Sequence, residues 1–393
     1  MNEIIFTFAD GEEIGVCDGS DARTLKSAFI ENYKANAEGI ARSKAWKTSG
    51  SGAIFRESYR DPDAITISGQ ITGAYPAGGG EVIYSFKVDN SSGIYKLSAF
   101  DEKLPESHII NSVELSFGCG SYNAASGELA ASVARGYYNS DIALFNCVTG
   151  DYKTVTEGDT ADEDPFICDD NPSVIYYTSR AVGRDVHGEF VEYAPSAIYR
   201  LDLSSMSLEE VAASQKFSYF HPVFRDGELY AVKAPAKGKN RGNVFLDIVL
   251  IPYRILQAIA GFISLFVNMF TGKSITSSGS NPARGRNYDS RKIVIAGNLV
   301  DVEKESRRNA SKKDADYGIV PSGWKLVNLT RGEELASGVA AFDIAPDGAI
   351  YYTNGRRIFC LRDGKRIKVC NTSMCLHINC VHAGTKADDL FGI

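Results

Sequence analysis

A short two-part unit recurs along this chain, and no other feature limits its folding so tightly. The first part is strand, polar turn, strand. It reads IIFTFADGEEIGV (4–16), GIYKLSAFDEKLPE (93–106), IALFNCVTGDYKTVT (142–156), AIYRLDLSSMSLEEVA (197–212), KLVNLTRGEELAS (325–337) and RIFCLRDGKRIKV (357–369). In each run apolar residues alternate on one side, then Gly, Asp or Ser supplies the turn. The second part, a turn followed by a β-branched and aromatic strand, precedes most copies. It reads GGGEVIYSFKV (78–88), ASGELAASVA (125–134), NPSVIYYTSR (171–180), RDGELYAVK (225–233) and PDGAIYYTN (346–354). Ile83, Ala130 and Ile175 hold equivalent places, 47 and 45 residues apart.

A further short segment, such as HPVF or FDIA, lies ahead of the turn. Three to four short antiparallel strands every 45 or so residues are the signature of propeller blades. The expected fold is therefore all-β, a six-bladed β-propeller with five or seven blades as the neighbouring solutions. Six units of about 45 residues leave room for two insertions. Residues 1–17 are expected to complete the last blade with C-terminal strands, 18–62 to form a helical insertion, and 63–233 to carry blades. Residues 234–323 form the second insertion, and 324–393 the closing blades and tail. In the first insertion DARTLKSAFIENYKANAE (21–38) reads as a helix capped by Ser20.

The pattern PxF…DG-x-IYYTS…IYRLDL…G-x…L resembles the TolB-like and WD40-like β-propeller repeats of bacterial proteins, over about 300 of the 393 residues. The resemblance implies propeller blades and leaves function open. The signal peptide and N-terminal domain of TolB have no counterpart here, so TolB's own role is not implied. No GxSxG elbow of a propeller-fused peptidase is present either.

The second insertion holds FLDIVLIPYRILQAIAGFISLFVNMF (245–270), which as a helix would reach about 39 Å, enough to cross a bilayer. Its flanks argue otherwise. ELYAVK (228–233) and WKLVNL (324–329) read as strands of one blade, and a single crossing would part them. A helix lying flat fits better: Asp247, Arg254, Gln257, Gly261, Ser264 and Asn268 share an arc of about 100°. Phe245, Ile248, Val249, Ile255, Leu256, Ile259, Phe262, Ile263 and Phe266 cover most of the rest, with basic residues at both ends. These apolar residues are expected to meet a membrane surface, a second copy in a homodimer or another protein partner, with an intramolecular cover as the bland solution.

A net charge of -7 argues against nucleic acid as partner. The N-terminal MNEIIFTFADGEEIG lacks an apolar signal core, which points to the cytosol and to free thiols. Peripheral membrane association would then run through residues 245–270. Cys370, Cys375, His377 and Cys380, with His382 close by, are ligand types that zinc prefers. An extended strand would nevertheless place Cys375 and His377 on one face and Cys380 on the other, so a structural zinc competes with ordinary blade residues. The acidic run EGDTADEDPFICDD (157–170) reads as a solvated loop. The inner segments GQITGAYP, CGSYNAA, FICDD, HPVF and FDIA offer only His221 as a base. A non-enzymatic binding or scaffold protein without a cofactor is the expected function, and a hydrolase or lyase in the central channel is the alternative.

Overall fold

The computed structural model describes residues 3–19, 21–44, 67–101, 103–134, 136, 138–236, 292–312 and 316–381. Alternating apolar residues and two-residue turns make antiparallel meanders of four strands. Asp226-Gly227 and Asp363-Gly364 both have positive φ at each position, as tight hairpin turns of the primed kind require. One meander runs Gly69–Gly78, Glu81–Val88, Ser91–Ser98, Ser107–Ser112. The next two are Ser116–Asn123, Glu128–Ala134, Ser140–Asn146, Tyr152–Thr154, and Thr160–Ile167, Val174–Arg184, Ala197–Asp202, Ser207–Ala212. A single parallel pairing, Ser140 to Ala161, joins these two. Then come Phe217–Arg225, Glu228–Pro235, Lys325–Asn328, Glu333–Ser337, and Ala341–Ile344, Ile350–Thr353, Arg357–Arg362, Lys365–Asn371.

The remaining sheet is closed by both ends of the chain: Cys375–Cys380 pairs with Phe6–Asp10, followed by Glu13–Cys17 and Ala22–Lys26. The first strand of each sheet packs against the first strand of the next, and the cycle closes from Cys375–Cys380 back to Gly69–Gly78. This is the architecture of a β-propeller. Apolar clusters fill the spaces between neighbouring sheets. Ile14, Val16 and Leu25 meet Val82, Tyr84 and Phe86, and Phe6, Phe8 and Cys380 meet Tyr351 and Ile358. Full burial of each such large side chain stabilises by about 1.5–3 kcal/mol.

The helix starts later than the sequence suggests. Ala22–Lys26 is the outer strand of the closing sheet, paired along Glu13–Cys17, and the helix spans Ala28–Lys44. The open edge of Glu13–Cys17 takes ARTLK as a strand, with Leu25 buried, in place of a helical turn. Ser20 lies outside the described residues; the cap is Ser27, whose Oγ accepts from Ile30 N at 3.2 Å. Glu106 accepts from Ala28 N and Phe29 N at 2.8 and 3.0 Å, fixing the helix start to the neighbouring sheet.

The flanks of the second insertion return to one sheet as expected: Glu228–Pro235 pairs antiparallel with Lys325–Asn328, Tyr230 opposite Asn328 and Lys233 opposite Lys325. Between them a hairpin, Lys292–Ile295 and Asn298–Asp301, leads into a helix, Val302–Asn309, and buries Ile295 and Val300 in the adjoining core. Phe245, Ile248, Val249, Ile255, Leu256, Ile259, Phe262, Ile263 and Phe266 lie outside the described residues. Among the described residues no helix is long and apolar enough to cross a membrane.

Candidate functional site

The first strands line a central channel, and most of them are irregular at the same level. One extra residue is inserted between Ile71 and Gly73, Phe117 and Gly120, Glu163 and Phe166, and Phe220 and Val223. Another lies between Cys375 and His377, opposite Ala9–Asp10. A bulge bends its strand and re-aims a side chain. Here the bulges bring Cys119, Asp164, His221 and His377 to one place. Asp164 and His221 both have φ of 51° and both precede a proline, Pro165 and Pro222. That conformation is strained for a side chain larger than glycine, and proline withholds an N–H that a bulge leaves without a ladder partner.

Asp164 is the hub. Cys119 Sγ donates to Asp164 Oδ1 at 2.8 Å, and His221 Nδ1 lies 3.4 Å from the same oxygen. The His377 ring meets the His221 ring edge-on at 5.6 Å and 70°. Ligand atoms of Cys119, Asp164 and His377 all lie within 4.8 Å of one another. Burial alone would raise the Asp164 carboxyl, but His221, His377 and the Cys119 bond outweigh it and hold it below the ordinary carboxylate value. Burial, and then the neighbouring His221, push His377 down to about 4, so its imidazole is neutral at pH 7. Burial, followed by the Asp164 charge, pushes the Cys119 thiol well above its usual range.

The surrounding contacts hold the strands at this spacing. Asn379 Nδ2 donates to Ala74 O at 2.9 Å, Cys380 N to Asp343 Oδ2 at 2.7 Å, and Arg225 Nη2 to Ile344 O at 3.0 Å. The cavity they enclose is about 40 Å³ and is lined by Cys119, Asp164, His221, Asp343, His377 and Asn379, among others. One water needs roughly 10–15 Å³, so the cavity has room for about three. Pockets for organic ligands run to about 300–1,000 Å³.

Of the residues singled out by sequence, His221 and His377 reach the channel, whereas Cys370, Cys375 and Cys380 do not join His377 there. The bulge at Leu376 changes the alternation. It turns Cys375 and Cys380, both 0% exposed, to the same core as Phe6 and Phe8, and leaves His377 facing the axis. Burial raises the Cys370 thiol to about 11, and raises those of Cys375 and Cys380 further. The run 157–170 is a correction of another kind. Its centre is an inner strand, Thr160–Ile167, not a solvated loop. Its acids are tolerated because each has a partner: Asp162 accepts from Ser179 Oγ at 2.6 Å, Glu163 pairs with Arg180, and Asp164 takes Cys119 and His221. Asp164 and Cys119 were therefore missed. The available signal was position: Asp164 and His221 stand immediately before Pro165 and Pro222 at the same point of successive units, and Cys119 lies one place further along in the unit before them.

No protein-family model matches the chain, and no curated protein does. Solved structures resemble it at low identity. TolB from Acinetobacter baumannii is 11% identical with a TM-score of 0.45; the match covers 96% of this chain and 65% of TolB, just under two thirds. A chain of a nidogen/laminin complex is 8% identical over 96% of this chain and 97% of its own, with a TM-score of 0.47. The tricorn protease is 13% identical over 96% of this chain and 36% of its own, at 0.39. At these identities and TM-scores the likeness assigns no role to this chain.

Proposed function

We propose that this chain is a six-bladed β-propeller that acts as a non-enzymatic binding platform, its partner-facing loops carried on a ring whose channel is closed to organic substrates. The observation that supports this reading is the size of the channel cavity, about 40 Å³, set against the several hundred that a substrate and its reacting groups require. The count of six is supported by the first strands, which pack one against the next in a cycle. Residues 245–270 are proposed, from their sequence pattern, as the attachment to a membrane surface or to a second copy. The strands on either side of that segment in sequence, Glu228–Pro235 and Lys325–Asn328, pair in a single sheet.

The competing reading is a hydrolase or lyase, favoured by the convergence of Cys119, Asp164, His221 and His377. Nucleophilic catalysis needs a thiolate beside a base. Cys119 instead carries a proton that it donates to a carboxylate. The two readings separate in one assay. Wild type, Cys119→Ser and His377→Gln are incubated with a panel of p-nitrophenyl esters and fluorogenic peptides. The platform reading expects no turnover above buffer. Turnover by the wild type that both variants lose overturns it. Flotation with vesicles of one-third phosphatidylserine tests the attachment: wild type floats and Ile259→Glu with Phe262→Glu does not. A wild type that stays in solution as a monomer removes that part of the proposal.

A further inference from the structure

Three donors of different chemistry meet in the channel from strands that are far apart in sequence. They are a thiol from Ser116–Asn123, a carboxylate from Thr160–Ile167 and an imidazole from Cys375–Cys380. Two features are unusual for an internal polar cluster that serves packing alone. A ring nitrogen of His377 lies at the cavity wall within 4.8 Å of the Cys119 sulfur and an Asp164 oxygen, three different ligand chemistries converging on one point. The Cys119 proton, moreover, lies between sulfur and Asp164 Oδ1, on the side where the other donors converge.

We propose that this point binds one divalent transition-metal ion, with Cys119 Sγ, an Asp164 oxygen and a His377 ring nitrogen as its protein ligands and a cavity water in the fourth position. Sulfur, nitrogen and oxygen together suit zinc or cobalt and do not suit calcium or magnesium, which take oxygen alone. Tetrahedral coordination at about 2.0–2.3 Å places ligand atoms about 3.3–3.8 Å apart. The present separations, 2.8 Å from the Cys119 sulfur to Asp164 Oδ1 and none above 4.8 Å among the three ligand atoms, bracket that range. His221 stands outside the ligand set, and its Nδ1 orients the Asp164 carboxylate, as groups behind a ligand commonly do.

Binding is an exchange without redox change: the Cys119 S–H bond breaks, its proton leaves to solvent, and the sulfur–metal bond forms in its place. The ion would tie together strands of three sheets across the channel. The site is distinct from the C-terminal cysteines and does not depend on what the outer face of the ring binds.

The test uses the full chain, stripped with chelator and titrated with Co²⁺. The wild type is expected to develop sulfur-to-cobalt charge-transfer absorption and strong tetrahedral visible bands that saturate at one equivalent. Cys119→Ser loses the charge-transfer band, His377→Gln binds at least tenfold more weakly, and Cys375→Ser, whose thiol faces the core, keeps both signals. Absence of the bands in the wild type overturns the proposal. So does their survival in Cys119→Ser, or their loss in Cys375→Ser with Cys119→Ser unaffected. Melting curves with and without Zn²⁺ guard against misfolded variants. Zn²⁺ should raise the melting temperature of the wild type more than that of His377→Gln at the same concentration; an equal rise in both shows adventitious binding elsewhere and refutes the site.

Discussion

Ring closure depends on one carboxylate. Asp10, 9% exposed at the end of the first strand, accepts from Ser373 N at 3.0 Å, Ser373 Oγ at 2.6 Å and Met374 N at 2.7 Å, tying that strand to the turn that starts the last one. Asp10→Ala leaves two backbone N–H groups and a hydroxyl without their acceptor. Each partly buried orphan costs about 1–3 kcal/mol, less where water reaches it, so the whole change should cost about 2–4 kcal/mol. Asp10→Asn keeps one oxygen in place but turns an amide donor toward a backbone donor, and should cost about 1–2 kcal/mol. Urea unfolding monitored through Trp324, 4% exposed in a distant sheet, reads the loss as a lower midpoint, with circular dichroism as a second probe. An Asp10→Ala protein within about 0.5 kcal/mol of wild type, the ordinary range for surface substitutions, would refute the latch; so would Asn and Ala variants of equal stability.

Further outcomes follow from single contacts. A Cβ on Gly15 would fall 2.2 Å from the Phe8 ring, so Gly15→Ala should destabilise by about 1–3 kcal/mol, and Phe8→Leu in the same chain should recover part of that in a double-mutant cycle. Glu106→Ala should cost about 1 kcal/mol and speed amide exchange in Ala28–Lys44, since it removes the acceptor for two helix N–H groups; unchanged exchange would sink the capping role. The Glu228 carboxyl is held below its ordinary value by hydrogen bonds, first from Tyr230, then from Arg331 and Asn328. A depressed carboxylate lends stability above its unfolded pKa of about 4.5 and loses it as pH falls through the folded one. Glu228→Gln should accordingly flatten the acid side of the stability profile below that pH while leaving its neutral side sloped as in wild type.

The strand repeat and the ring closure were legible because their causes are local. Alternation in IIFTFADGEEIGV and the Asp-Gly turns need no knowledge of distant residues, and the shared sheet of ELYAVK and WKLVNL follows from the same unit. The channel was not legible, for a definite reason. A bulge adds one residue and exchanges the two faces of everything after it, without disturbing composition or propensity. Leu376 moves Cys380 to the core beside Cys375, and the insertion at Asp164-Pro165 carries a carboxylate to the axis out of a run that looks solvated. The helix was displaced for the opposite reason. ARTLK has no strong preference of its own, and the open edge of Glu13–Cys17 decides it.

The order of strands in the closing sheet also has a consequence for synthesis. Phe6 and Phe8 are made more than 350 residues before the strand that flanks them, Cys375–Cys380. At about 5–20 residues per second a ribosome needs roughly 20–70 s to bridge that gap. For that interval the first hairpin carries two bare aromatic rings and an open edge. A nascent chain of this kind is a natural client for chaperones that shield apolar strands, and release from that protection waits for the last sheet to be completed.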